Sequence, residues 1–238
     1  MKSKLLYLLL WAVIPVFSQG KLPYTTPKEI EINTAFATQM NSVFANLDKS
    51  RIPNGLLQDF AMEYTSLDAY SGSLSDSTFV PPGVLKQLYS TLLMSRVNSN
   101  INQGFVSYSN FENNWNNARD VNTITLSGLY FKYSKFLDNA YPNKITISNN
   151  KLYDKYVNGV WQNPYEQKKA FAISPSIINY KGLDFTVKLP SNLWYTNNSS
   201  SVQSIKINFN DGNGYVNVNP GQQVSINYNT PGIKTWTY

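Results

Sequence analysis

The side chains that most often perform catalysis are missing from this sequence of 238 residues, because it contains no His and no Cys. A Ser-His-Asp or Cys-His arrangement needs one of these residues and cannot form from this chain alone. Zinc and copper sites lose their usual ligands for the same reason, and a disulfide is excluded. We therefore expect no metal site and no cofactor.

Carboxylates are the remaining catalytic groups, since a pair of them can hydrolyse a glycosidic bond without His or Cys. Among the 14 Asp and Glu residues, Asp59, Glu63 and Asp68 lie close together, and the first two would share one helical face. Acids at this spacing are usually solvated. We predict a protein that is not an enzyme. The alternative is part of a secreted hydrolase, as a carboxylate-based glycosidase or an accessory region of a hydrolase encoded downstream.

Residues 207–218 read INFNDGNGYVNV and raise the question of a calcium or phosphate loop. An EF-hand with Gly212 or Gly214 at its sixth position would place apolar residues where oxygen ligands are required. A phosphate loop needs Gly-Lys-Ser/Thr, which does not follow. Asp-Gly and Asn-Gly pairs tolerate positive φ, so we predict a hairpin turn.

The hydrophobic period divides the chain into parts with different architecture. Residues 19–120 are predicted to be mainly helical, with apolar stripes indicating helices over residues 25–47, 57–67 and 81–92 and a short one at Phe111 and Trp115. Residues 121–165 form a strand-containing connector, with strands near 124–133 and 145–147. From residue 166 to 238, a strand near 171–173 and alternating strands separated by turns predict an antiparallel sandwich. The predicted fold class is α+β.

The last third of the chain also resembles a known family. Residues 207–212 look like the Trp-Asp-Phe-Gly-Asp-Gly signature of PKD (polycystic-kidney-disease) domains, and residues 226–235 are similar to the family's His-x-Tyr-x-x-Pro-Gly-x-Tyr-x segment. Ile207 and Ile226 replace the signature's Trp and His. The resemblance implies an immunoglobulin-like, non-catalytic sandwich that serves exported proteins as a spacer or binding module. Its fingerprint residues are Phe209, Asp211, Gly212, Tyr228, Pro231 and Gly232.

Such domains continue their last strand beyond the Pro-Gly turn, whereas this sequence reads only Trp236-Thr237-Tyr238 after it. We therefore expect a truncated copy, or the front portion of a larger secreted or surface protein. Residues 44–50 and 52–57 also resemble the uncharacterised front regions of large secreted bacterial proteins.

The N-terminus indicates export. Lys2 and Lys4 precede an apolar run over residues 5–17, which is too short to span a bilayer, and Ser18 suits cleavage. We predict a signal peptide over residues 1–18, no membrane span after its removal, and a final location in the periplasm, at the cell surface or outside the cell. The net charge is +6, but the basic residues are scattered, so we expect no nucleic-acid partner.

Aromatic residues are the best candidates for binding. The chain has five Trp and 17 Tyr, whose flat rings suit sugars or protein partners. Trp194 and Tyr195 precede a polar loop and are predicted to lie near the surface, and Trp161 is the next candidate. Trp is more often a core residue, which is the competing interpretation. The predicted partner is a polysaccharide or a protein surface.

Overall fold

A computed structural model describes residues 34–73, 78–97 and 104–238 of the protein. The predicted signal peptide and the start of the first predicted helix lie outside these ranges. The helices are α1 (Thr34–Val43), α2 (Pro82–Met94), α3 (Tyr108–Asn117) and the short α4 (Ala140–Asn143). The strands are β1 (Thr123–Phe136), β2 (Ile145–Ser148), β3 (Lys151–Asp154), β4 (Tyr156–Val157), β5 (Val160–Trp161), β6 (Tyr165–Pro175), β7 (Asp184–Lys188), β8 (Trp194–Thr196), β9 (Lys206–Asn208), β10 (Tyr215–Asn217) and β11 (Gln223–Asn227). The α+β class is confirmed.

The helices agree with the apolar stripes at α2 and α3, but the helix predicted over residues 57–67 is wrong. Short 3₁₀ turns, Gln58–Phe60 and Leu67–Tyr70, take its place. The backbone here bonds to other segments, since Leu57 N–H donates to the Ser95 carbonyl over 2.8 Å, and a regular helix would compete for such groups. Within the described ranges, every helix is too short or too polar to cross a membrane.

The main sheet is organised around the long central strand β1. β6 runs antiparallel along one edge of β1, while β7 and β8 both lie along the other edge and run parallel to it. β11 then pairs antiparallel with β7. The sheet is therefore mixed. Within residues 166–238 the pairs β7–β11 and β9–β10 are antiparallel, whereas both parallel pairings are made with β1, which precedes that segment. The alternating pattern identifies strands. It does not show which strands pair with each other, or whether a pair runs parallel or antiparallel.

Hydrophobic cores lie on both faces of β1. Leu129, Phe131 and Tyr133 face α2 and α3, whereas Ile124 and Leu126 face the β9–β10 hairpin. Successive side chains of a strand point to opposite faces, so one strand serves both cores. β1 lies in the segment 121–165 and pairs with strands of the segment 166–238, and the sheet thus joins these two segments.

The glycine-rich stretch forms the predicted hairpin. β9 and β10 pair antiparallel, with Tyr215 opposite Asn208, so that residues 209–214 form the loop between them. Positive φ angles occur at Asn210, Gly212 and Gly214. The Asp211 carboxylate accepts hydrogen bonds from the backbone N–H of Asn213 over 3.1 Å and from its side-chain amide over 2.9 Å. The stretch therefore acts as a turn that joins two strands.

Candidate ligand-binding face

Trp194 and Tyr195 lie on opposite faces of the sheet. β8 pairs with β1 so that Tyr195 is opposite Leu129 and points into the helical core, where its ring lies 5.1 Å from that of Tyr89. Tyr195 is only 4% exposed, which corrects the prediction that both residues lie near the surface. Trp194 points to the other face and is half-buried. The three-residue strand β8 is too short for this alternation to be recognised in the sequence.

Trp161 belongs to a separate cluster around the first 3₁₀ turns. Its indole N–H donates to the Asp154 carboxylate over 2.8 Å, and the Arg51 guanidinium lies 4.9 Å from its ring centroid. Arg51 is also paired with Asp48 over 2.9 Å. The ring therefore already takes part in a local cation–π contact, which gives Trp161 a structural role.

The fingerprint residues form a structural corner beside the hairpin. Phe209 and Tyr228 are buried, and the Tyr228 hydroxyl donates to the Phe209 carbonyl over 2.8 Å. The Trp236 indole N–H in turn donates to the Tyr228 hydroxyl over 2.8 Å. Pro231 and Gly232 lie in the exposed turn between Tyr228 and Trp236. These bonds give the Tyr228 hydroxyl and the Trp236 indole N–H partners within the corner, which indicates a structural role for this group.

The face of the sheet opposite the helices carries a row of aromatic residues and lysines that are at least partly exposed. Tyr130 is directly opposite Phe171, and two residues further along β1 Lys132 is directly opposite Lys169. Directly paired residues and residues two apart point to the same side of a sheet. β8 adds Trp194 on this side. We call the surface formed by Tyr130, Lys132, Lys169, Phe171 and Trp194 the aromatic–lysine face.

The aromatic end of this face is a packed group of rings. The Phe171 ring lies 6.3 Å from that of Trp194 and 5.4 Å from that of Tyr238, in edge-to-face arrangements. A Cβ atom on Gly128 would come within 2.9 Å of the Trp194 ring, so the missing side chain makes room for the indole. Phe171, Trp194 and Tyr130 all remain partly exposed. The rings thus offer an apolar platform at the surface.

The other end of the face is basic and borders a groove. The groove has a volume of about 500 Å³ and is lined by Asp68, Ser71, Lys132, Gln167, Lys168 and Lys169. The side-chain amide of Asn197 donates to the Lys132 carbonyl over 2.7 Å and accepts from its N–H over 2.9 Å, replacing a neighbouring strand. These two hydrogen bonds fix the backbone from which the Lys132 side chain projects.

The acid in the groove is already paired. Asp68 accepts hydrogen bonds from the Tyr133 hydroxyl over 3.0 Å and from the Lys135 ammonium over 3.1 Å. Partial burial opposes ionisation of Asp68, but these two bonds outweigh it and lower the pKa of its carboxyl. Burial, followed by the charge of Asp68, raises the pKa of Tyr133, which stays protonated as a donor. Asp68 therefore holds the groove together as a carboxylate.

The other two carboxylates considered for catalysis also bond to the scaffold. Asp59 accepts from the Phe136 N–H over 2.8 Å, and Glu63 accepts from the Gln58 amide over 3.1 Å and the Leu67 N–H over 3.3 Å. The helix that would place Asp59 and Glu63 on one face is absent from this segment. In the part of the chain that the structure describes, no cluster of three or more acidic residues could hold a metal ion.

Asp59 gives a prediction for the pH dependence of stability. Asp59 is exposed as a residue, but partial burial of its carboxyl raises the pKa of that group above the unfolded value of about 3.9. The stability that this shift provides is lost as pH rises through the folded pKa. Asp59→Asn keeps an acceptor for the Phe136 N–H and removes this loss. We expect the variant to match the wild type near pH 3 and to be more stable at pH 7, as measured by urea denaturation. A stability difference that does not change with pH would contradict this.

Most of the aromatic–lysine face is not evident from the sequence. Tyr130 and Lys132 alternate with the buried residues of β1, and Lys169 is one of two adjacent lysines in β6. The alternation could have shown that Tyr130 and Lys132 share a face. The cross-strand pairing that brings Phe171 and Lys169 beside them depends on the register of β6, which local sequence does not encode.

No family model matches the chain, and neither the curated proteins nor the solved structures include a significant match. The PKD resemblance therefore remains a prediction from its motifs.

Proposed function

We propose that the protein is a non-catalytic, exported binding module that binds a polysaccharide on its aromatic–lysine face. The observation that carries this proposal is the row of partly exposed rings, in which Phe171 contacts both Trp194 and Tyr238. Aromatic side chains present large, rigid surfaces at little cost in conformational entropy, and they stack well on the flat faces of sugar rings.

The face also suits an extended ligand. The rings and lysines occupy successive rows two residues apart on β1, β6 and β8, and two residues along a strand span about 6.6 Å. A polymer chain lying along these rows would contact a ring and then a lysine in turn. The rows lie on regular strands, which hold binding side chains more rigidly than loops do.

Export and domain type are parts of the same proposal. The predicted signal peptide over residues 1–18 supports delivery to a compartment where polysaccharides are exposed. The corner formed by Phe209, Tyr228 and Trp236 supports a PKD-like sandwich over residues 166–238, with the β9–β10 hairpin as its second layer. The parallel pairing of β7 with β1 is a departure from the pattern of such domains.

A glycan array probed with the chain lacking residues 1–18 tests the function. We expect binding to at least one polysaccharide, weakened about tenfold or more by Trp194→Ala and by Tyr130→Ala, since central aromatic contacts commonly contribute this much. Tyr215→Ala is the matched control, because Tyr215 is 52% exposed and lies on β10, outside the face. Thermal melting of each variant distinguishes lost binding from lost folding.

Two results would count against the proposal. If the folded wild-type chain binds no polysaccharide, a spacer role or a protein-binding role remains. A pull-down with a cell-surface extract distinguishes these two roles. An equal loss of binding in Tyr215→Ala would show that the ligand contacts a different surface.

A further inference from the structure

We propose that the basic end of the aromatic–lysine face selects acidic polysaccharides, with Lys132 and Lys169 binding the carboxylate or sulfate groups of the polymer. This inference rests on the proposed function and adds the chemical class of the ligand. It derives from the arrangement of the two lysines, from the pairing of the acids around them and from the groove beside them.

Lys132 and Lys169 are direct cross-strand neighbours on the same face of the sheet. The Cβ atoms of such neighbours lie about 4.5–5.5 Å apart, so two flexible lysine side chains can reach one anion together. Like charges directly opposite each other destabilise a sheet. The arrangement therefore costs stability in the free protein, and an anionic ligand between the two ammonium groups would relieve the repulsion.

The nearby acidic residues form salt bridges with other lysines. Asp68 pairs with Lys135 over 3.1 Å, and Glu166 pairs with Lys168 over 3.2 Å. Within the described residues, the ammonium groups of Lys132 and Lys169 take part in none of the salt bridges or hydrogen bonds that the neighbouring acids form. The groove thus carries uncompensated positive charge at the position where Lys132 and Lys169 meet.

The adjoining aromatic platform fits a sugar that bears the charge. Tyr130 precedes Lys132 by two residues on the same face, about 6.6 Å along the strand. A sugar ring stacked on Tyr130 would bring a carboxylate into reach of Lys132, and the groove of about 500 Å³ has room for the group. A neutral sugar would gain the stacking contact and leave both ammonium groups without a partner.

A nucleic acid could in principle use the same combination of stacking and cations. Nucleic-acid binding, however, usually neutralises many phosphates, and the basic residues outside this face are scattered along the sequence. Two uncompensated cations beside a short row of rings match an acidic sugar better.

The test compares each polyuronate with its methyl-esterified form, which has the same backbone without the charge. Isothermal titration of polygalacturonate, alginate and hyaluronate against the chain lacking residues 1–18 measures affinity. We expect at least one acid form to bind tenfold or more tightly than its ester. Lys132→Gln/Lys169→Gln is expected to remove this preference, by lowering the affinity for the acid form far more than the affinity for the ester. Lys206→Gln, at an exposed position of β9, is the matched control and is expected to change neither affinity.

Stability provides a second readout that does not depend on the ligand. Removing the opposed charges is expected to maintain or raise the melting temperature of the double variant in the absence of ligand, so lost binding cannot be attributed to unfolding. Lys132→Arg/Lys169→Arg keeps both charges and is expected to retain the preference for acid forms.

The outcomes separate the inference from the function on which it rests. Equal binding of acid and ester forms would overturn the acidic selectivity and leave the polysaccharide proposal standing. Absence of binding to the polyuronates, their esters and the glycan array alike would overturn both. A preference for single-stranded DNA over every polyuronate, or an equal effect of Lys206→Gln, would replace the proposed site with a general polyanion interaction.

Discussion

Phe131→Ala is expected to lower the free energy of unfolding by about 3–5 kcal/mol, as truncation of a large buried aromatic residue does. Phe131 is fully buried in the middle of β1, and its ring stacks on that of Phe105 with 4.3 Å between centroids. The loss combines the transfer free energy of the ring with the cavity that it leaves. Urea denaturation followed by circular dichroism measures the change. Phe79→Ala is the matched control and is expected to have little effect, because Phe79 is 74% exposed.

The same variant tests whether the two cores unfold together. β1 contributes Phe131 to the helical core and Leu126 to the core under the hairpin, and its backbone bonds to strands on both edges. We therefore expect one cooperative transition, with hydrogen exchange in Phe131→Ala accelerated around both Trp115 and Phe209. If exchange around Phe209 keeps its wild-type rate, the chain instead unfolds in separate units, as a domain boundary near residue 165 would predict.

The parts of the fold that were predictable are those that local chemistry determines. The apolar stripe from residue 84 to 92 predicted α2, and the alternation after Thr123 predicted β1. The Asp-Gly and Asn-Gly pairs predicted the hairpin. In each case the residues that decide the structure lie within a few positions of one another, so a single sequence contains the necessary information.

The parts that were missed depend on partners distant in sequence. The segment from residue 57 to 67 has a helical period, but Leu57 bonds to Ser95 and forms a bridge with Ser134 instead. Tyr195 precedes a polar loop, yet it is buried because β8 joins β1 in parallel. Tertiary contacts override local preference in both cases.

The candidate site likewise combines a residue that local sequence identifies with residues that only strand pairing brings together. Trp194 could be chosen from residue type alone, and the structure leaves it partly exposed. Its neighbours on the face come from β1 and β6, whose pairing places Lys132 against Lys169. Neither lysine is unusual in the sequence. Only their register creates an opposed pair of like charges, and this opposition gives the site a chemical preference.

Gly128→Val is expected to lower the free energy of unfolding by about 1–3 kcal/mol and to weaken polysaccharide binding, because overpacking displaces the indole on the ligand-binding face. A Cβ at this position would lie 2.9 Å from the Trp194 ring and 3.0 Å from the Ile173 side chain. Valine adds two methyl groups beyond that Cβ. Its higher strand propensity and smaller unfolded-state entropy offset part of the cost. Thermal and urea denaturation measure the stability, and titration with the array ligand measures the binding.

A double-mutant cycle with Trp194→Ala identifies the cause of the loss. If the indole is the group that the new side chain displaces, Gly128→Val should be distinctly less destabilising in the Trp194→Ala background, since truncation removes that clash. The contact with Ile173 remains, so part of the penalty should persist. Strict additivity would show that the valine is accommodated without moving Trp194. The close approach of the ring to Gly128 would then not be what positions the indole for a ligand.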